Sequence, residues 1–119
     1  MYFATGIGAG ETKFLWNQHS FTPPPASEGI NTKARAFFAG TGQAMVMLSA
    51  APGAGQNVTV TPVINGADGT PIVVADEARV GNGDLGTLAM TDLVSFKAAL
   101  SAGAADVGNI TVAIRRVIA

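Results

Sequence analysis

The sequence predicts an all-β fold, an antiparallel sandwich or barrel with little or no helix, in a chain of 119 residues. Apolar and polar residues alternate along several short segments, which is typical of half-buried strands. Gly, Pro, Asn and Asp clusters separate these segments at intervals of about ten residues, which is the spacing of an all-β domain. The length fits a single domain with one two-layer core.

The clearest element boundary follows Leu48. The residues before Pro52 are apolar, and apolar residues alternate again from Val58. Pro52 presets φ for a turn, and Gly53 and Gly55 accept positive φ, so the local sequence encodes a chain reversal. We therefore predict a strand, a tight turn and a second strand, ended by a turn at Asn65-Gly66.

The same reasoning gives the remaining elements. Further turns are expected at Gly40-Thr41-Gly42, Asp68-Gly69 and Gly81-Asn82-Gly83-Asp84. We expect strands at 2–6, 12–17, 33–39, 43–50, 57–65, 71–75, 85–91, 93–100 and 109–117. The residues on the apolar side of the two-residue period form the predicted core: Val58, Val60, Ile64, Val94, Phe96, Ile110, Val112 and Ile114.

Prolines at positions 23–25 divide the chain. Three prolines in a row favour an extended segment without backbone donors. We expect an aromatic-rich N-terminal arm or pair of edge strands at 1–22, a proline-rich linker at 23–32 and the sandwich at 33–119. The large apolar residues expected at an interface are Tyr2, Phe3, Phe14, Trp16, Phe21, Met45 and Met47.

Composition indicates an oligomer. Charged residues make up 13% of the chain, about half the usual share, and hydrophobic residues 48%. A free monomer of this size should carry more surface charge, so we expect much of the surface to be covered by other copies or by a partner. The segment Ala44-Met45-Val46-Met47-Leu48 is apolar on both faces of a strand, which predicts that its second face is also covered. The net charge of −1 argues against nucleic-acid binding, and neither a membrane span nor a signal peptide is expected.

No catalytic or metal-binding pattern is found. The glycines at 6, 8 and 10 lead to Glu11 rather than to the Gly-Lys pair of a phosphate loop. His19 is the single histidine, there is no cysteine, and Asp76, Glu77 and Asp84 lack the spacing of a calcium loop. We therefore expect no enzyme activity, cofactor or metal.

The stretch Leu48-Ser49-Ala50-Ala51-Pro52-Gly53-Ala54-Gly55-Gln56-Asn57-Val58-Thr59-Val60, followed by Ile64-Asn65-Gly66, resembles a segment of small jelly-roll virion proteins of tailed phages. The resemblance continues through the Gly83-Asp84 turn and the 88–97 segment to the closing strand, over roughly residues 33–117. It implies a capsid decoration (cement) protein: a homotrimer, made in the host cytoplasm, that binds the major capsid protein on the virion surface. The alternative is a receptor- or glycan-binding head of a fibre or tail protein.

The segment 93–100 is ambiguous from its local pattern. Leu93, Phe96 and Leu100 fall at helical spacing, with Thr91 as a possible cap and Gly103 as a possible end. As a strand, the segment instead places Val94, Phe96, Ala98 and Leu100 on one face. Local pattern alone slightly favours the helix, but the resemblance, in which this segment is a core strand, favours the strand.

Overall fold

The computed structural model describes residues 1–17, 24–29 and 31–118, and these residues form two packed antiparallel sheets without helix. No helix of the described chain is long and apolar enough to cross a membrane. The strands found there are β1 (Tyr2–Ala4), β2 (Thr12–Phe14), β3 (Trp16–Asn17), β4 (Ala34–Arg35), β5 (Gly40–Leu48), β6 (Asn57–Ile64), β7 (Ala67–Asp68), β8 (Ile72–Ala75), β9 (Val80–Leu88), β10 (Leu93–Leu100) and β11 (Ile110–Arg116).

The strand order is that of a jelly roll. The first sheet has the order β3-β1-β11-β5-β9, and the second has β2-β10-β6-β7, with β4 also paired to β10 and β8 to β6. Strands β7 and β8 both pair with β6, along the edge opposite β10. Apart from this unit, successive long strands alternate between the sheets, as two interleaved Greek keys require. The predicted jelly-roll-like sandwich is therefore confirmed.

The core lies between the sheets and is mostly the predicted one. Val58, Val60, Val94, Phe96, Ile110 and Val112 are buried, whereas Ile64 and Ile114 are only partly buried and pack against the margin of the core. The segment 93–100 is strand β10. Tertiary pairing decides this, because β10 is hydrogen-bonded to β6 over seven residue pairs, from Val94↔Ile64 to Leu100↔Val58.

The two predicted turns near the strongest motif have different roles. Asn65 and Gly66, with φ of 51° and 82°, form a two-residue hairpin between β6 and β7. The Pro52–Gly55 turn does form, with Gln56 N donating to Gly53 O at 3.0 Å. However, β5 and β6 belong to different sheets, so this turn carries the chain across the sandwich rather than closing a hairpin.

The predicted turn at residues 81–84 is wrong, because these residues lie inside β9, which runs from Val80 to Leu88 instead of 85–91. Gly81 and Gly83 face the second sheet. A Cβ at Gly83 would lie 2.4 Å from Ile72 Cγ1, and one at Gly81 would lie 2.8 Å from Val74 Cγ2. These glycines permit close packing of the two sheets rather than a reversal of the chain.

We predict that Gly83→Ala destabilises the protein by about 1–3 kcal/mol, because the new methyl group forces the buried Ile72 to move. Gly29→Ala is the matched control, since its Cβ meets nothing within 4 Å and its φ is not left-handed. Urea unfolding followed by circular dichroism measures both. Adding Ile72→Ala should make the loss smaller than the sum of the single losses; strict additivity would contradict the clash.

The N-terminal segment is built into both sheets. β1 pairs with β11 and β3 in the first sheet, while β2 pairs with β10 in the second. The predicted single strand at 12–17 thus changes sheets at Leu15, which is fully buried. The residues up to Asn17 are sheet strands rather than a free arm: β2 and β3 lie at sheet edges, and β1 lies between β3 and β11.

The linker and the following strand also differ from expectation. Pro25 O accepts a hydrogen bond from Phe14 N at 2.8 Å, and Asn31 O accepts one from Asn17 N at 2.8 Å. The described part of 23–32 therefore packs along β2 and β3 and is not a free spacer. The strand predicted at 33–39 is limited to Ala34–Arg35, because the chain then crosses from the second sheet to β5 in the first.

Tyr2 is a core residue. Its hydroxyl donates a 2.6 Å hydrogen bond to Val94 O in the opposite sheet, and its ring meets Phe96 edge-on at 4.8 Å. Burial raises the pKa of the Tyr2 phenol well above its usual value. A side chain that ties the two sheets together in this way is inaccessible to a partner.

We predict that this tyrosine, the single one in the chain, ionises only when the protein unfolds. Because its folded pKa is raised, its contribution to stability is complete below the unfolded value of about 10 and is lost as pH rises further. Absorbance of tyrosinate near 295 nm should therefore appear together with loss of the β spectrum. Tyr2→Phe should lower stability at neutral pH by about 1 kcal/mol and remove this part of the alkaline dependence; tyrosinate formation in the folded protein near pH 10 would contradict the placement.

Candidate interaction surface

The outer face of the first sheet, meaning the side turned away from the core, is largely apolar. The register places one residue from each strand in a single transverse row: Trp16, Phe3, Thr111, Met47 and Val80. Directly paired residues share a face, so these side chains lie side by side. Val80 is 53% exposed, while Phe3, Trp16 and Met47 are half-buried.

Two further rows continue the outer face on β11, β5 and β9. Ala113, Met45 and Asn82 form the second row, and Met45 is 40% exposed. Arg115, Gln43 and Asp84 form the third. A depression of about 310 Å³ lies between these rows, lined by side chains of β5, β9 and β11. The surface is thus mostly apolar over two rows, with Thr111 and Asn82 as their polar members, and it carries one charge of each sign on the third.

The outer face of the second sheet is different in character. Thr59 and Thr61 on β6 lie beside Ala99 and Lys97 on β10, and Lys97 Nζ forms a 2.8 Å ion pair with Asp68. Ser95 donates a hydrogen bond to Glu28, which also faces Lys33 Nζ at 3.7 Å. The Lys97–Asp68 pair remains accessible to water, whereas Ser95 is buried against Glu28, so the polar groups of this face are already paired within the chain.

Four of the sequence-predicted interface residues come together on the outer face of the first sheet: Phe3, Trp16, Met45 and Met47. Phe14 lies on the second sheet, opposite Lys97. Tyr2 is buried in the core, so its prediction as an interface residue is wrong. Phe21 and His19 lie outside the described residues.

Val80 was missed from the sequence because β9 was expected to begin later. The alternation Val80, Asn82, Asp84 on one side and Gly81, Gly83 on the other was the available signal. This alternation was interpreted as a turn, because glycine next to Asn or Asp is more often found in turns than in strands.

One end of the sandwich is also apolar. The crossing from β4 to β5 carries Phe37, which is 67% exposed and meets Phe38 edge-on at 4.8 Å. Met90, in the connection from β9 to β10, is exposed at the same end. A depression of about 260 Å³ lies beside Phe37 and reaches Met1. We call this region the apolar end.

The apolar end has an ordered connection. Asp92 accepts hydrogen bonds from Ala89 N at 2.8 Å and from Asn65 Nδ2 at 2.9 Å, and these bonds lower the pKa of the Asp92 carboxyl. Asn65 Oδ1 in turn accepts a bond from Leu93 N at 2.9 Å. The hydrogen bonds fix the turn that presents Met90.

The part of the chain that the structure describes offers no metal site. Within residues 1–17, 24–29 and 31–118, no three His, Cys, Asp or Glu side chains are grouped so that they could hold a metal ion. What the geometry offers is surface for contact: an apolar sheet face and an apolar end, both outside the core.

Comparison with known proteins adds no family assignment. No protein-family model matches the sequence, and no curated protein matches it.

Proposed function

We propose that the protein is a structural component of a phage virion, a decoration protein that binds the outside of the capsid as an oligomer and stabilises the shell. The supporting observation is the placement of exposed apolar side chains in two separate regions, the outer face of the first sheet and the apolar end. A protein that contacts both copies of itself and a shell needs two such surfaces. The sequence resemblance supplies the virion setting.

The physical role in this proposal is mechanical. A two-layer sandwich whose sheets are joined through a packed core deforms little, so surfaces on two sides of it keep a fixed relative position. Apolar contact areas of this kind hold neighbouring subunits together through burial of apolar surface, without covalent bonds. The apolar end is the region we assign to the major capsid protein, because Phe37 supplies a large anchor beside a depression.

The experiment is a count of copies in purified virions. Quantitative mass spectrometry compares peptides of this chain with peptides of the major capsid protein in the same particles. We expect a copy number close to that of the major capsid protein. Absence of the chain from purified particles would overturn the virion proposal.

A second candidate is a receptor- or glycan-binding head of a fibre or tail protein. The observation that favours it is Phe37, an exposed ring on a crossing loop at one end of the sandwich, with Arg35 and Asn17 lining the same depression. Aromatic rings next to polar groups are suited to sugars, which have apolar faces and hydroxyl edges. A handful of copies per particle, in place of hundreds, would favour this function.

A further inference from the structure

We propose that the outer face of the first sheet binds the same face of a second copy of the chain. The two copies are related by a two-fold axis that runs parallel to β5, midway between the two faces. This inference concerns contacts between copies, and it holds or fails independently of the capsid role; it predicts a dimer where the resemblance implies a trimer. Three observations carry it: the arrangement of charge around β5, the apolar rows, and the contrast with the outer face of the second sheet.

The charges are placed for self-recognition. Arg115 on β11 and Asp84 on β9 occupy the same transverse row, one strand to either side of Gln43 on β5. A half-turn about this axis places each row of one copy over the same row of the other. It also places β11 of one copy over β9 of the other. Arg115 of one copy therefore faces Asp84 of the other, and the pair contains this contact twice.

Within one chain these two charges stay apart. They are separated by two strand spacings, roughly 9.6 Å, and neither belongs to the ion pairs found among the described residues, Lys33–Glu28 and Lys97–Asp68. Arg115 Nε instead donates a 2.7 Å hydrogen bond to Gln43 Oε1, which fixes the guanidinium on this face. In the two-fold pair, Arg115 of each copy instead lies opposite Asp84 of the other, so each charge gains a partner of opposite sign.

The apolar rows fit the same operation. Met45 and Met47 lie on β5, so each meets its own counterpart close to the axis, and methionine side chains adapt their shape to such contacts. Val80 of one copy covers Thr111 of the other. Sheets packed face to face keep their strands nearly aligned, as an axis along β5 requires.

The area of overlap predicts a reversible pair. Strands β11, β5 and β9 of the two copies face each other directly, and at strand spacing they cover a flat area of roughly 440 Å². Stable specific interfaces bury about 800 Å² on each partner, so we expect association at micromolar rather than nanomolar concentration. The outer face of the second sheet, with its internal Lys97–Asp68 pair and threonines, lacks both the apolar rows and the complementary charges.

Sedimentation of the purified full chain over the micromolar range is the first test. We expect a mass that rises with concentration to twice the 12.0 kDa of one chain. Val80→Asp should weaken association about tenfold or more, because it places a carboxylate against Thr111 of the other copy, in a row without a cation, twice per pair. Val73→Asp is the matched control: Val73 is 55% exposed, lies on the outer face of the second sheet, and its replacement should leave the association unchanged.

Charge reversal tests the geometry itself. Asp84→Arg and Arg115→Asp should each shift the chain toward the monomer while leaving its thermal melt intact. Combining both changes in one chain should restore pairing. Mixing the two single variants should also produce the dimer, because each charge then faces its opposite at both contacts.

The outcomes separate the proposal from its rivals. A wild-type chain that stays monomeric throughout the micromolar range overturns the pairing. A trimer of the wild-type chain overturns the two-fold geometry, because an isologous contact closes with two copies and a ring of three needs a different contact. Association that is unchanged by Val80→Asp, or single charge variants that do not recover on mixing, shows that another surface is used.

Discussion

Phe96→Ala is expected to lower the free energy of unfolding by about 3–5 kcal/mol. Phe96 is fully buried in the middle of β10, and Tyr2 contacts its ring edge-on from the opposite sheet. Truncation removes the transfer free energy of the phenyl group and leaves a cavity that two hydrogen-bonded sheets cannot close. Since domains of this size are stable by about 5–15 kcal/mol, this one change removes a large share of the total.

Urea unfolding followed by circular dichroism measures the loss. Phe37→Ala is the matched control, because the same atoms are removed from a ring that is 67% exposed, and it should cost less than about 1 kcal/mol. If Phe96→Ala costs as little as Phe37→Ala, then Phe96 does not lie in the core, and β10 does not pair with β6 in the observed register.

The parts of the fold that could be predicted from sequence are those encoded by neighbouring residues. Val58 and Val60 alternate with threonines, so their inward direction follows from the two-residue period alone. The Asn65-Gly66 hairpin follows from the positive φ that these residues accept. For β10, local pattern favoured a helix, and pairing with β6 overrode it.

The parts that could not be predicted depend on partners distant in the chain. Residue 83 lies in β9 because it pairs with Ala44, and it is glycine because Ile72 occupies the space where a side chain would be; nothing near position 83 in the sequence reveals either contact. The row that joins Trp16, Phe3, Met47 and Val80 comes from four segments, and its existence depends on sheet order. Single apolar residues could be chosen as interface candidates, but their common face required the register.

The arrangement of the first strands explains why Tyr2 was assigned to the surface. An aromatic-rich segment before a proline run is often an arm, and alternation is hard to detect in strands of two or three residues. Burial is set here by the second sheet, which supplies Val94 O to the Tyr2 hydroxyl. The same contact makes the segment part of the folding unit.

A chain that begins at Ala26 is therefore expected not to fold. The deletion removes β1, β2 and β3, together with four buried core residues: Tyr2, Ala4, Ile7 and Leu15. Full burial of each larger side chain contributes roughly 1.5–3 kcal/mol, so the loss approaches the stability of the whole domain. It also leaves β11 and β10 without the strands that pair with one of their edges, which favours aggregation.

Circular dichroism and a thermal melt of the shortened chain test this, with the full chain measured alongside. We expect loss of the cooperative transition, and its recovery when a synthetic peptide of residues 1–25 is added, because the peptide can re-form the missing strand pairs. The same peptide with Ala4→Asp is the control and should fail, since Ala4 is fully buried in the core. A shortened chain that melts cooperatively with the β spectrum of the full chain would show instead that the first strands are attached to the sandwich without supporting it.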